Sequence, residues 1–118
     1  MITSVIPKLP FIDKAQTLQF YVNQLGYVMR SDYGDYIIVG LPNAELHFFS
    51  FPELLPDKSD FMIYLRVDDG IGELYQAIQK QGVSIHPNAK LESKPWGQQE
   101  FAIIDPNGTL LTFGQAIL

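Results

Sequence analysis

Apolar and polar positions divide the chain into two segments that repeat one pattern of elements. In the first, an apolar, β-prone stretch at residues 2–11 precedes a helix that starts at Asp13, where Gln16 completes a capping box. Apolar side chains at three- and four-residue spacing mark this helix as amphipathic, and Gly26 ends it. Three short strands are predicted next, at residues 27–31, 36–41 and 45–51.

The second segment repeats that order after a linker at residues 54–60. A strand at 61–67 leads into a helix that opens at Asp68-Asp69 and stops at Gly82, followed by strands at 83–86, 100–104 and 110–116. The helix-opening aspartates and the helix-ending glycines recur at one constant interval. An internal repeat of this length predicts two βαβββ modules in one α+β domain spanning residues 1–118, with halves at about 1–56 and 60–118.

Composition narrows the class of protein and its partners. Apolar residues make up 47% and charged residues 18% of the 118, which is typical of a globular protein. No apolar run approaches the roughly 20 residues that span a bilayer, and the first ten residues do not resemble a signal peptide. The absence of cysteine excludes thiolate chemistry and agrees with a cytoplasmic location. A net charge of −5 disfavours nucleic acid and favours a cationic ligand.

Several short motifs together resemble the vicinal oxygen chelate superfamily, which includes glyoxalase I, extradiol dioxygenases and bleomycin-resistance proteins. They are Thr3-Ser4-Val5-Ile6-Pro7-Lys8-Leu9, Phe20-Tyr21, Leu25-Gly26-Tyr27, Glu73-Leu74-Tyr75, Pro95-Trp96-Gly97, Glu100-Phe101-Ala102 and Asp105-Pro106-Asn107-Gly108. The chain most resembles the bleomycin-resistance branch, nearly end to end. The resemblance implies a cup-shaped mixed sheet. It also implies a homodimer in which Pro7 pivots the N-terminal strand across to the other subunit.

Catalytic members of that superfamily hold one divalent ion through four strand positions. Counting from the helix starts and the hairpin turns, these positions fall at Ile6, His47, Met62 and Thr112, or one residue away at neighbours such as Phe48 or Ile63. One imidazole with an alkyl chain, a thioether and a hydroxyl is a poor donor set for such an ion. We therefore expect no metal, no cofactor and no catalytic residue.

The resemblance implies a protein that binds a bleomycin-like antibiotic without transforming it. Aromatic and acidic side chains suit a cationic, aromatic ligand. The expected ligand-binding residues are Asp32, Tyr33, Tyr36, His47, Phe49, Tyr64, Trp96, Gly97 and Phe101. Two alternatives remain open: a metal-dependent lyase, isomerase or dioxygenase using His47, Glu45 and Glu100, and a binding module for another aromatic small molecule.

Overall fold

A four-stranded sheet and one short helical segment form the first half of the chain. A computed structural model describes residues 1–118. The elements of this half are β1 (Lys8–Phe11), α1 (Lys14–Leu18), a π-helical turn (Gln19–Gln24), β2 (Val28–Asp32), β3 (Tyr36–Leu41) and β4 (Ala44–Ser50). The strand order is β1-β4-β3-β2, with β1 parallel to β4 and the other pairs antiparallel.

The second half repeats this arrangement. After a 3-10 turn (Pro56–Lys58) come β5 (Met62–Arg66), α2 (Ile71–Lys80), β6 (Glu92–Lys94), β7 (Gln98–Ile104) and β8 (Leu110–Ala116). The strand order β5-β8-β7-β6 matches the first sheet, again with one parallel pair at the first strand. The predicted pair of βαβββ modules is therefore confirmed. Neither helix is long and apolar enough to cross a membrane.

The two helices begin in different ways. The Asp13 carboxylate accepts a hydrogen bond from the Gln16 backbone N–H at 2.9 Å, as the sequence predicts for an N-cap. The second helix was expected to open at Asp69, but Gly70 is its N-cap, with φ of 79°. The first free N–H, that of Ile71, donates to the Gln115 side chain at 2.9 Å instead. A residue distant in sequence replaces the local cap, which pattern reading does not detect.

Two strand predictions in the second half need correction. The strand predicted at 83–86 is wrong, because the chain turns there: His86 and Ala89 both hydrogen-bond to the backbone of Ala102. Because both hydrogen bonds involve the same residue, Ala102, this segment does not continue as a strand paired along β7. Conversely, β6 was missed because its sequence Glu-Ser-Lys has no apolar alternation.

A buried polar turn joins the halves. The fully buried Tyr21 donates its hydroxyl hydrogen to Asp105 at 2.7 Å. The Asn107 side chain accepts from the Ile12 N–H at 2.8 Å and donates to the Thr17 hydroxyl at 3.1 Å. These contacts accompany a buried apolar core with members from both halves.

Each sheet has one helix-covered face and one open face. On β4, Leu46 and Phe48 are buried, and Phe48 packs against Tyr21, while His47 points to the opposite side. On β7, Phe101 packs against Tyr75 of α2, so Glu100 points to the open face. Polar and aromatic side chains outside the core therefore collect on the two open faces.

Candidate functional site

Glu100 is the centre of a hydrogen-bonded cluster on the open face of the second sheet. Its carboxylate oxygen Oε2 accepts from the Tyr64 hydroxyl at 2.8 Å and from Trp96 Nε1 at 3.0 Å. The residue is only 9% exposed and forms no salt bridge. Two neutral donors orient the carboxylate without cancelling its charge. The cluster of Glu100, Tyr64 and Trp96, called here the carboxylate cluster, is thus an anion beside two aromatic rings.

Trp96 lies on the turn between β6 and β7. Its side chain is 64% exposed although its indole N–H is held by Glu100. Gly97 makes this turn possible with φ of 80°, and its carbonyl accepts from the Ile117 N–H at 2.9 Å. Gly97 therefore acts through the backbone, and the indole is presented as an oriented, accessible flat surface.

A shallow cavity of about 280 Å³ adjoins this cluster. Its lining includes Trp96, Glu100, Phe101, Thr112, His86 and Lys94. Lys94 is paired with Glu92 at 2.6 Å and is not a partner of Glu100. The charge of Glu100 is therefore available to a ligand in this cavity.

Tyr64 is fixed by its neighbours as well as by Glu100. Its ring lies over Gly114 so closely that a Cβ at that position would overlap the hydroxyl. The Arg66 guanidinium lies 5.3 Å from the ring centre and donates to Gln98 at 2.7 Å. Loss of solvent contact, followed by the hydrogen bond to Glu100, raises the pKa of Tyr64 above its ordinary value. Tyr64 consequently remains a protonated donor at neutral pH.

The open face of the first sheet carries a line of three hydrogen-bonded side chains. His47 Nε2 lies 2.6 Å from a Glu45 oxygen, and His47 Nδ1 lies 2.7 Å from the Tyr36 hydroxyl. With a proton on Nε2, His47 donates to Glu45 and accepts from Tyr36. The Lys8 ammonium lies 5.4 Å from the centre of the Tyr36 ring. Because this face carries both the Lys8 ammonium and the Glu45 carboxylate, its charges are more nearly balanced than those of the carboxylate cluster.

Other expected ligand-binding residues are dispersed. Phe49 continues the open face of the first sheet and packs against Phe61 at 6.1 Å between ring centres. Tyr33 is largely exposed on the turn after β2. Asp32 is paired with Lys14 at 2.8 Å, and the hydrogen bond to Lys14 lowers the pKa of the carboxyl. That pairing neutralises much of the charge for which Asp32 was singled out.

Phe101 does not belong to the open face. It is 1% exposed, and its ring stacks on Phe113 with centres 4.9 Å apart. The residue in this motif that does face outward is Glu100, which the sequence connected only with the metal-dependent alternative. The alternation of side chains along a strand could have indicated which residues face outward. Both neighbours of Phe101 are also buried, however, so burial does not alternate along this part of β7.

The strand positions equivalent to metal ligands do not provide a donor set. In the strand pairing, Lys8 lies beside His47 and Tyr64 lies beside Thr112. Lys8 and Tyr64 each come two residues after the predicted metal positions Ile6 and Met62. Nowhere do three or more His, Asp or Glu side chains converge as a metal site requires. The residues present therefore do not fit the divalent ion of the catalytic branches.

Comparison with known proteins assigns the family. The family sequence model described as Glyoxalase/Bleomycin resistance protein/Dioxygenase superfamily matches residues 8–113 of this chain. A bleomycin resistance protein from Klebsiella pneumoniae is 33% identical, with 94% of this chain and 90% of that protein covered. The crystal structure of a bleomycin resistance determinant encoded on transposon Tn5 superposes with a TM-score of 0.88 at 31% identity, covering 99% of this chain and all of that one. A bleomycin-binding protein in complex with bleomycin gives 0.86, also at 31% identity, over 97% and 98% of the two chains. The chain belongs to the glyoxalase/bleomycin resistance/dioxygenase superfamily.

Proposed function

We propose that this protein confers resistance to bleomycin-type antibiotics by binding the drug and withholding it from its target. The observation that carries the proposal is the carboxylate cluster: a buried anion without a salt-bridge partner, beside an exposed, oriented indole. A cationic aromatic ligand can stack its ring on Trp96 and pair its positive charge with Glu100. Relatives over 30% identical that are named for bleomycin resistance or bleomycin binding support this choice of ligand.

Sequestration needs affinity and no chemical step. Both hydrogen-bond donors of the carboxylate cluster are engaged with Glu100, so the site is preorganised before a ligand arrives. The net charge of −5 attracts a cationic drug and repels DNA. The metal-dependent alternative is less well supported, because His47, Glu45 and Glu100 do not converge as one donor set for a metal ion.

We further propose that the protein is a homodimer whose subunits exchange their first strands. Within one chain, β1 pairs with β4, and the Pro7 carbonyl accepts from the His47 N–H at 3.1 Å. The arm before Pro7 carries Ile2 and Val5, each 90% exposed, and Trp96 and Tyr64 of the carboxylate cluster are 64% and 46% exposed. A second copy can supply the same strand pairing while bringing an open face of one chain opposite that of the other. The drug then lies between subunits, in the cytoplasm.

Titration of Trp96 fluorescence tests the proposed function. Trp96 is the only tryptophan, so bleomycin is expected to change its emission saturably, whereas unrelated aromatic compounds should not. Glu100→Gln keeps an oxygen for both donors but removes the charge, and should weaken drug binding by roughly 10- to 100-fold. Glu53→Gln removes an exposed charge elsewhere and is the matched control. Equal affinities of both variants for bleomycin, or no response of the wild type, would overturn the proposal.

A further inference from the structure

A second and larger cavity lies between the halves, with chemistry opposite to that of the carboxylate cluster. Its volume is about 640 Å³, within the range of small-molecule sites. Most of its lining is apolar, from Tyr27 and Leu46 of the first half and Leu65, Leu74 and Phe113 of the second. Residues 4–7 of the N-terminal arm form one wall. An apolar molecule placed here exchanges water for carbon contacts on several sides.

Two arginines, Arg30 and Arg66, also line this cavity, and neither forms a salt bridge. Arg30 Nη2 donates to the Leu41 carbonyl at 3.1 Å, its one hydrogen bond within the protein. The acidic residue in the lining, Glu45, is engaged by His47 at 2.6 Å. A guanidinium group has five N–H donors, so most of those on Arg30 remain available.

The sequence provides room for Arg30 at a structural cost. Gly40 lies within β3, where glycine weakens a strand, and a Cβ there would overlap the Arg30 guanidinium. The glycine therefore lets this side chain lie flat across the sheet beside the cavity. Arg30 is exposed, and its stem lies along the sheet with unpaired N–H donors at its end, an arrangement that can hold an anion.

We propose that this cavity binds an apolar carboxylate of the fatty-acid class, with the chain between the halves and the carboxylate on Arg30. Arg66 adds positive charge at the same cavity. Tyr64 lines this cavity and also belongs to the carboxylate cluster, so the two sites adjoin. They differ in charge, because Arg30 and Arg66 line the cavity whereas Glu100 is the centre of the cluster. Because the net charge of −5 opposes an anion at long range, the local guanidinium groups must supply the charge selectivity.

Calorimetric titration of the full-length protein with dodecanoate and dodecanol tests this proposal. Dodecanoate should bind about tenfold more tightly than the alcohol, since a hydrogen bond to a charged group is worth that much. Shortening the chain by one methylene should weaken binding by up to about fourfold. Arg30→Gln should abolish the preference for the carboxylate, and Arg30→Lys should retain part of it.

Bleomycin titration of the same variants separates this site from the proposed drug site. Arg30→Gln should leave the Trp96 response to bleomycin unchanged, which also shows that the variant is folded. Equal binding of acid and alcohol, or an unchanged preference in Arg30→Gln, would overturn the charge assignment and with it the proposal. A protein that binds neither compound, as when a second copy of the chain closes the cavity, would overturn it too.

Discussion

Two carboxylates in this protein show how the surroundings of one residue decide its use. Asp105 lies in the turn that joins the halves and accepts from Tyr21, Asn107 and Thr109. Burial raises the pKa of its carboxyl above the ordinary 3.8, while those hydrogen bonds act to lower it. Glu100 accepts from only two side chains and faces a cavity. Asp105 is therefore structural, whereas Glu100 is suited to a ligand.

Removing the Tyr21 hydroxyl tests the structural role of Asp105. Tyr21→Phe leaves a buried carboxylate oxygen without its donor and should lower the free energy of unfolding by about 1–3 kcal/mol. Urea denaturation measures this. Tyr33→Phe, which changes an exposed ring, should have almost no effect.

The loss of unfolding free energy in Tyr21→Phe, called here its deficit, should also depend on pH. With a raised pKa, folded Asp105 holds its proton to higher pH than the unfolded chain does, so its contribution to stability is present at low pH and is lost as pH rises through the folded pKa. The Tyr21 hydrogen bond lowers that pKa, and its removal raises the pKa further. The deficit should therefore be larger near pH 7 than near pH 4. A deficit that shrinks with rising pH would contradict this assignment.

At the scale of elements, strands with strong apolar character could be predicted from the sequence. The bounds of β3 and β8 were predicted correctly because turn residues flank each apolar run: Pro42-Asn43 after β3 and Asn107-Gly108 before β8. Elements fixed by distant contacts could not be predicted. The cap of α2 comes from Gln115, and the chain at 83–86 is diverted by its contacts with Ala102.

The candidate site was predictable in part for the same reason. Trp96 and Tyr64 are distinctive residue types at strand ends and faces, and the structure brings them to one carboxylate. Phe101 and Glu100 both line the smaller cavity, but a single step along the strand reverses the face, so only Glu100 points to the open face of the sheet. The large cavity has no sequence signal, since its lining comes from separate elements of both halves.

A glycine within β8 positions the Tyr64 side chain, and its replacement should disturb the site. In Gly114→Ala the added Cβ overlaps the Tyr64 ring, which must move away from Glu100. We expect a loss of stability of about 1–3 kcal/mol and weaker bleomycin binding. Gly72→Ala in α2 meets no neighbour and should be neutral or stabilising by up to about 1 kcal/mol. Indistinguishable stability and affinity of the two variants would show that Tyr64 is not held by Gly114.

At the scale of the whole molecule, the two halves are expected to unfold as one domain. The buried contacts of Tyr21 with Asp105 and of Asn107 with Ile12 and Thr17 cross between them. Opening either half therefore exposes unpaired polar groups of the other.

Urea unfolding followed by two signals tests this coupling. Trp96 fluorescence reports on the second half and far-ultraviolet circular dichroism on both, and the two curves should coincide. Asn107→Ala should lower both midpoints together, whereas Asn43→Ala on an exposed turn should not. Two separated transitions in the wild type would indicate independent halves.

Sequestration of bleomycin is tested most directly by calorimetric titration with the metal-free drug, followed by mass spectrometry of the drug recovered from the complex. Saturable binding of about one drug per chain is expected if each carboxylate cluster is occupied once, and the recovered drug should have an unchanged mass. No heat of binding, or recovery of a chemically altered drug, would contradict it.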